Sequence, residues 1–243
     1  PHPASPHNTG LMNNLVLVAG HAIPYRFDHL DSDQGWYLKH FQAGEGGLYV
    51  EHVRKGVELA GADLDSLLLF AGGQTDPLAG PRSEGQGYWL VAEYLNWFGH
   101  PEVSERATTE EFSLDSFQNL LFGLCRFYEV TGTFPESVVA VGWQFKGARF
   151  DLHREALRFP ANRFRYVGVN DPPDIERNHH FETVRREMFR SDPYGAGPEP
   201  VAKRTARNTF RRQHGYRTSC PDLAALLEYT GPAIYTGPLP WAD

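Results

Sequence analysis

The chain has 243 residues, 41% of them hydrophobic and 22% charged, with 23 basic and 30 acidic side chains for a net charge of −7. These proportions fit a soluble globular protein with one core, and the negative balance argues against a general affinity for nucleic acid or anionic membrane. With two cysteines, Cys125 and Cys220, there is neither a disulfide framework nor a cysteine zinc site, so a reducing, cytoplasmic setting is the default expectation.

Pro1–Gly10 is polar and Pro-rich without an apolar h-region. Residues 1–12 are therefore expected to be a flexible tail, with Met12 the natural start and 13–243 a single domain. Leu15–Ala19 reads as a strand running into Gly20-His21, and Gly47–Leu59 as an amphipathic helix. Leu67–Ala71 is a second strand, ending at Gly72-Gly73-Gln74-Thr75; helices follow at Ser83–Phe98 and Ser113–Val130. Val138–Val141 runs into Gly142-Trp143-Gln144, Lys146–Arg158 is helical, and Phe164–Val167 ends at Gly168. Beyond a turn-rich connector, Ser191–Pro200, the segment Lys203–Arg212 places Arg204, Arg207 and Arg211 on one helical stripe. No apolar run approaches the roughly 20 residues of a membrane helix.

Four apolar runs ending at Gly and alternating with helices predict a three-layer α/β/α, mostly parallel sheet with right-handed crossovers. In such sheets ligands bind beyond the carboxyl ends of the strands. His21, Gly72, Gly73, Gln74 and Trp143 should therefore surround one cleft. The Gly-Gly loop before Ser83-Glu84 has the layout of an anion cradle at a helix N-terminus, although it lacks a Walker lysine and G-x-G-x-x-G. The plainer reading is that the glycines turn the chain and Ser83 or Glu84 caps the next helix.

The segment from Thr109 to Asn119 is dense in polar groups. Ser113 or Asp115 is suited to an N-cap, while Glu110 and the face carrying Ser113, Asp115, Ser116 and Asn119 could supply acid/base and hydrogen-bonding groups. Lys146 and Arg149 stand one turn apart at a helix start, against the dipole preference, which an anionic ligand or the acidic cluster from Thr109 to Asn119 would explain; the plainer reading is two solvated surface cations. Arg204 and Arg207 are further clamp candidates, or else a solvated basic face. Histidines are plentiful, but none has metal-ligand spacing, His179-His180 being a bare pair in a polar loop. His21 is a general-base candidate by its position. No G-x-S-x-G elbow supports a serine triad.

Charge is unevenly spread. Residues 1–145 hold seven basic and eighteen acidic side chains, whereas residues 146–243 hold sixteen and twelve. An anion would be met by the second part, with the carboxylates facing it from the first.

Five segments in order resemble the YdcF/SanA/ElyC-like family, especially its stand-alone fungal members: Leu15–His21, Leu68–Gly73, Arg82–Glu84, Glu110–Asn119 and Phe145–Arg149. The resemblance covers residues 13–170, leaving 171–243 as an Arg-rich C-terminal extension. It implies a Rossmann-like domain whose cleft is formed by Gly72, Gly73, Glu84, Glu110, Ser113, Ser116 in place of the usual Thr, and Asn119. The family commonly has His near the fourth element, where this chain reads Gly142-Trp143-Gln144-Phe145-Lys146. Trp143 could then stack a planar substrate. AdoMet binding and the processing of lipid-linked or phosphorylated intermediates are both associated with the family, so the resemblance leaves the cofactor open, with AdoMet as a candidate.

The sequence points to an intracellular enzyme acting on a polar, anionic small molecule by acid/base or group-transfer chemistry, compatible with tailoring in fungal specialised metabolism. Glu84 and Glu110 would be the acid/base carboxylates, His21 an auxiliary, and Lys146 with Arg149 the anion clamp. The alternative is an AdoMet- or nucleotide-binding protein without chemistry of its own. Oligomeric state, substrate and reaction are left open.

Overall fold

Leu and Val alternate along Asn14–Ala19 (β1), and in a computed structural model, which describes residues 12–242, this strand is buried on both faces. The tail expected at residues 1–12 falls, apart from Met12, outside the described residues. After β1 the chain makes a small antiparallel pair, Ile23–Pro24 (β2) with Trp36–Tyr37 (β3). Helix and strand then alternate: α1 (Gly46–Ala62), β4 (Ser66–Ala71), α2 (Glu84–Tyr94), β5 (Ala107–Glu110), α3 (Ser116–Thr131), β6 (Ser137–Gly142), α4 (Gly147–Ala156) and β7 (Phe164–Gly168). The extension supplies α5 (Ile175–Ser191), α6 (Pro198–Arg207), α7 (Tyr216–Ser219) and α8 (Ala224–Leu227).

Among the described residues the main sheet has five parallel strands in the order β5-β4-β1-β6-β7, so the first of these strands in the chain is the central one. Alternation divides its side chains between two cores. Leu15, Leu17 and Ala19 face α3 and α4 with Leu120, Leu124 and Phe150; Val16 and Val18 face α1 and α2 with Val53, Val57 and Val91. Helices cover both sides, giving a three-layer α/β/α architecture. Two glycines permit the close approach: a Cβ at Gly56 on α1 would lie 2.3 Å from Val18 Cγ2, and one at Gly123 on α3 would lie 2.3 Å from Leu17 Cδ1.

The fold class agrees with the sequence reading, and several details correct it. A fifth strand, Ala107–Glu110, pairs at the edge with β4; its Ala-Thr-Thr-Glu sequence has no apolar run to announce it. Helix α2 stops at Tyr94 instead of Phe98, because Asn96, Trp97 and Phe98 all adopt positive φ. His179 and His180 lie on α5, not in a loop. The expected basic stripe ends at Arg207, since Arg211 lies beyond α6 with φ of 51°.

The extension packs on the α3/α4 side through Tyr194, Tyr216, Leu223, Leu226, Leu239 and Trp241. Its polar tips are satisfied there: Trp241 Nε1 donates to the Leu157 carbonyl at 2.8 Å and Tyr194 Oη to that of Ala156 at 2.7 Å. Among the described residues no helix is long and apolar enough to cross a membrane.

Candidate functional site

In the order β5-β4-β1-β6-β7 the chain leaves β1 toward one edge of the sheet and leaves β6 toward the other. Their following loops diverge, which opens a crevice beyond the carboxyl ends of these two strands. A cavity of about 480 Å³ occupies it. His21 from the β1 loop and Lys146 from the β6 loop meet there, Lys146 Nζ lying 3.4 Å from His21 Nδ1. The α5–α6 part of the extension adds a further wall with Arg177, Phe181, Glu182, Arg185, Lys203 and Arg207.

Of the residues singled out in the sequence, His21, Glu84, Ser113, Asp115, Ser116, Asn119, Trp143, Lys146, Arg149 and Arg207 line this cavity. Gly72, Gly73, Gln74, Glu110 and Arg204 do not. The expected anion cradle fails for a definite reason: its N–H groups are already used. Gly72 N–H donates to the Glu110 carbonyl at 2.9 Å and Gly73 N–H to that of Ser113 at 2.8 Å. At the start of α2, Glu84 N–H and Gly85 N–H donate back to the carbonyls of Gly73 and Gly72, and Gln86 N–H donates to Ser83 Oγ. Gln74 Nε2 donates to the Pro81 carbonyl. These glycines fasten the loop to the helix instead of presenting donors to a ligand.

Glu110 is likewise a structural carboxylate. It is 1% exposed and accepts from Phe112 N–H (2.7 Å), Ser113 N–H (3.1 Å) and Tyr216 Oη (3.0 Å). That network holds the segment before α3 and the start of α7, so the acid/base role expected for Glu110 is withdrawn. Asp115 is the N-cap of α3, its Oδ1 accepting from Gln118 N–H at 2.8 Å while Oδ2 pairs with Arg204 Nη1 at 2.9 Å. Arg204 also donates to the Gly195 carbonyl, which makes it a strut instead of a clamp. Trp143 is 3% exposed and stacked on His21 and Phe145, leaving little face for a substrate.

Electrostatics in the cavity are dominated by cations. Lys146 is lowered to about 7 by burial and by the neighbouring Arg149 guanidinium, and Arg185 to about 10 by burial, Arg149 and Arg207. Burial and Arg207 also lower Lys39. Arg149 is paired to the buried Glu182 at 3.1 Å, so its charge is partly committed. Among carboxylates, Glu84 is half-buried, accepts a hydrogen bond from Thr75 Oγ1 and has its pKa raised by burial. His21 is lowered well below 6.5 by burial and by Lys146, and is neutral at pH 7.

Several cavity residues carried no sequence signal: Lys39, Glu45, Arg177, Glu182 and Arg185. Nor did the contact of Ser116 Oγ with His153 Nε2 at 2.8 Å. His153 sits among Phe117, Phe150 and Phe189, its Nδ1 has no partner among the described residues, and burial holds it neutral. With no carboxylate to support an imidazolium, the pair does not form a triad. Among the described residues no group of three His, Cys, Asp or Glu side chains is placed to hold a metal ion.

No protein-family model matches the chain, and no solved structure gives a significant match. The uncharacterized protein YOR238W of Saccharomyces cerevisiae is 28% identical to it over 260 aligned positions, covering 83% of this chain and 86% of that protein. A match of that coverage reaches past residue 170 wherever it begins, so part of the C-terminal extension is shared with this fungal relative.

Proposed function

We propose that the chain is an enzyme that takes a polar, anionic small molecule into the β1/β6 crevice and transforms it by acid/base or group-transfer chemistry. The observation that carries this reading is an excess of cations around one cavity. Lys39, Lys146, Lys203, Arg185 and Arg207 line it without a carboxylate within 4 Å among the described residues, and burial with mutual repulsion depresses three of them. Of the four facing carboxylates, Asp115 and Glu182 are paired to arginines and Glu45 accepts from Tyr49 Oη at 2.6 Å. An anion would relieve the repulsion, which phosphate or carboxylate groups do well. Glu84, protonated more readily than an ordinary carboxyl, is the acid/base group, and neutral His21 is its partner across the crevice.

The resemblance to the YdcF/SanA/ElyC-like family supports this placement through Glu84, Ser113, Ser116 and Asn119, and not through Gly72, Gly73 or Glu110, which lie off the cavity. It also keeps open a second reading, AdoMet or nucleotide binding without chemistry. That reading is favoured by Phe41 and Phe181, 42% and 49% exposed, which flank Arg177 at the cavity wall and offer faces to an adenine.

Calorimetry with inorganic phosphate, ATP and AdoMet tests both. Phosphate-bearing ligands are expected to bind, and Arg207→Ala or Lys203→Ala to weaken them about tenfold each, as for loss of one charge-assisted hydrogen bond. Once a substrate is known, Glu84→Gln should abolish turnover while retaining binding. No heat with any anion would remove the reading, and binding of AdoMet or ATP without turnover of any metabolite would favour the second.

A further inference from the structure

Lys146 is placed as no surface lysine is. It follows β6 at the point where the β1 and β6 loops part, with its Nζ 3.4 Å from His21 Nδ1 and 5.7 Å from the centre of the Phe145 ring. Among the described residues no carboxylate oxygen lies within 4 Å of it. The two acids nearest in charge terms are otherwise engaged: Glu182 with Arg149 on the next helix, Glu45 with the Tyr49 hydroxyl. Facing it are His21 from the β1 loop, Arg149 from α4, Arg185 and Glu182 from α5, and Glu45 before α1. This environment supports an amine better than an ammonium, as a cationic neighbour does for imine-forming lysines generally.

We infer that Lys146 is a nucleophile which forms an imine with the carbonyl carbon of a phosphorylated or otherwise anionic aldehyde or ketone, the anion being held by Lys39, Lys203 and Arg207. The inference rests on the anion-binding reading of the same cavity and adds its substrate class. In the step, the Nζ lone pair attacks the carbonyl carbon and the C=O π pair moves to oxygen. His21 Nδ1 relays a proton from the nitrogen to that oxygen, giving a carbinolamine. Glu84 then protonates the hydroxyl, water leaves, and the nitrogen lone pair completes a protonated C=N bond. One amine, one carbonyl and one proton thus yield one iminium and one water, with the Glu84 carboxylate left to take the proton back on hydrolysis.

The chain has four lysines, Lys39, Lys55, Lys146 and Lys203, which makes the assignment easy to read. The full chain would be incubated near pH 7 with pyridoxal 5′-phosphate or unphosphorylated pyridoxal, reduced with borohydride and mapped by mass spectrometry. Lys146 is expected to carry at least about tenfold more label than any other lysine, with labelling rising through pH about 7 instead of near 10.5. The phosphorylated probe should react faster, and inorganic phosphate should compete with it. Lys146→Arg should remove the label at this position, and Lys55→Arg, at a lysine that does not line the cavity, should leave the labelling of Lys146 unchanged. Label distributed by exposure, or absent from Lys146 with both probes, overturns the inference whether or not phosphate binds. Preferential labelling of Lys146 by both probes equally, with no phosphate binding, keeps the nucleophile and removes the anion site.

Discussion

Asp115 Oδ2 accepts from Arg204 Nη1 at 2.9 Å, so the residue that caps α3 also fastens helix α6 of the extension to the core. Both side chains are mostly buried, at 11% and 16% exposure. Asp115→Ala removes the cap and leaves Arg204 half-buried without its carboxylate, at a cost of about 1–3 kcal/mol. Asp115→Asn keeps a capping oxygen and should cost less. Urea denaturation of the two variants and of Arg204→Ala, combined in a double-mutant cycle, would show a coupling between Asp115 and Arg204. Additive losses would show that the pair does not join the two parts.

Glu110→Gln is expected to lower stability by about 1–3 kcal/mol, because an amide NH2 would replace one of two oxygens that together accept three hydrogen bonds. Phosphate affinity in the crevice should stay unchanged. Denaturation and calorimetry on the same sample separate this scaffold role from a chemical one.

Stability should fall on the acid side through buried histidines. His52, which donates from Nε2 to Asn170 Oδ1 at 2.7 Å, is lowered by burial to about 4. Between 6.5 and 4 the unfolded chain binds the proton that the folded chain refuses, so stability is complete above 6.5 and lost as pH falls toward 4. The group's share is about 3 kcal/mol. His21 and His153 are lowered as well and act in the same direction. His52→Gln, which keeps a donor for Asn170, should flatten part of the slope in urea titrations at several pH values; an unchanged slope would contradict the assignment.

Gly123→Ala and Gly56→Ala should each destabilise by about 1–3 kcal/mol, since the new methyl would press on β1 from opposite faces. Helix propensity alone favours Ala over Gly by about 1 kcal/mol, so a stabilised variant would mean that the helices shift freely. Gly215→Ala, with nothing within 4 Å of its added carbon, is the control expected to stay within about 0.5 kcal/mol.

The layered fold was legible because β1, β4 and β6 are buried on both faces and so read as unbroken apolar runs. β5 was not, since an edge strand of Ala-Thr-Thr-Glu has only pairing, and no apolar pattern, to define it. The crevice was legible from the strand ends, which brought His21 and Lys146 to one place. The Gly-Gly loop misled because composition shows which donors exist and not where their hydrogen bonds go. Lys39, Arg185 and Lys203 reach the cavity through tertiary packing of segments far apart in sequence, which local spacing does not encode.

The central position of β1 has a consequence for how the protein is made. On the ribosome, β1 gains its first neighbour once residue 71 has emerged, but its other edge stays unpaired until β6 is complete at residue 142. For that interval a two-faced apolar strand is open on one side, the condition under which nascent chains pair wrongly. The crevice does not exist until both neighbours are in place, and its α5–α6 wall comes later still, at residues 175–207. A truncated or stalled chain would thus expose the aggregation-prone centre of the sheet well before it could bind anything.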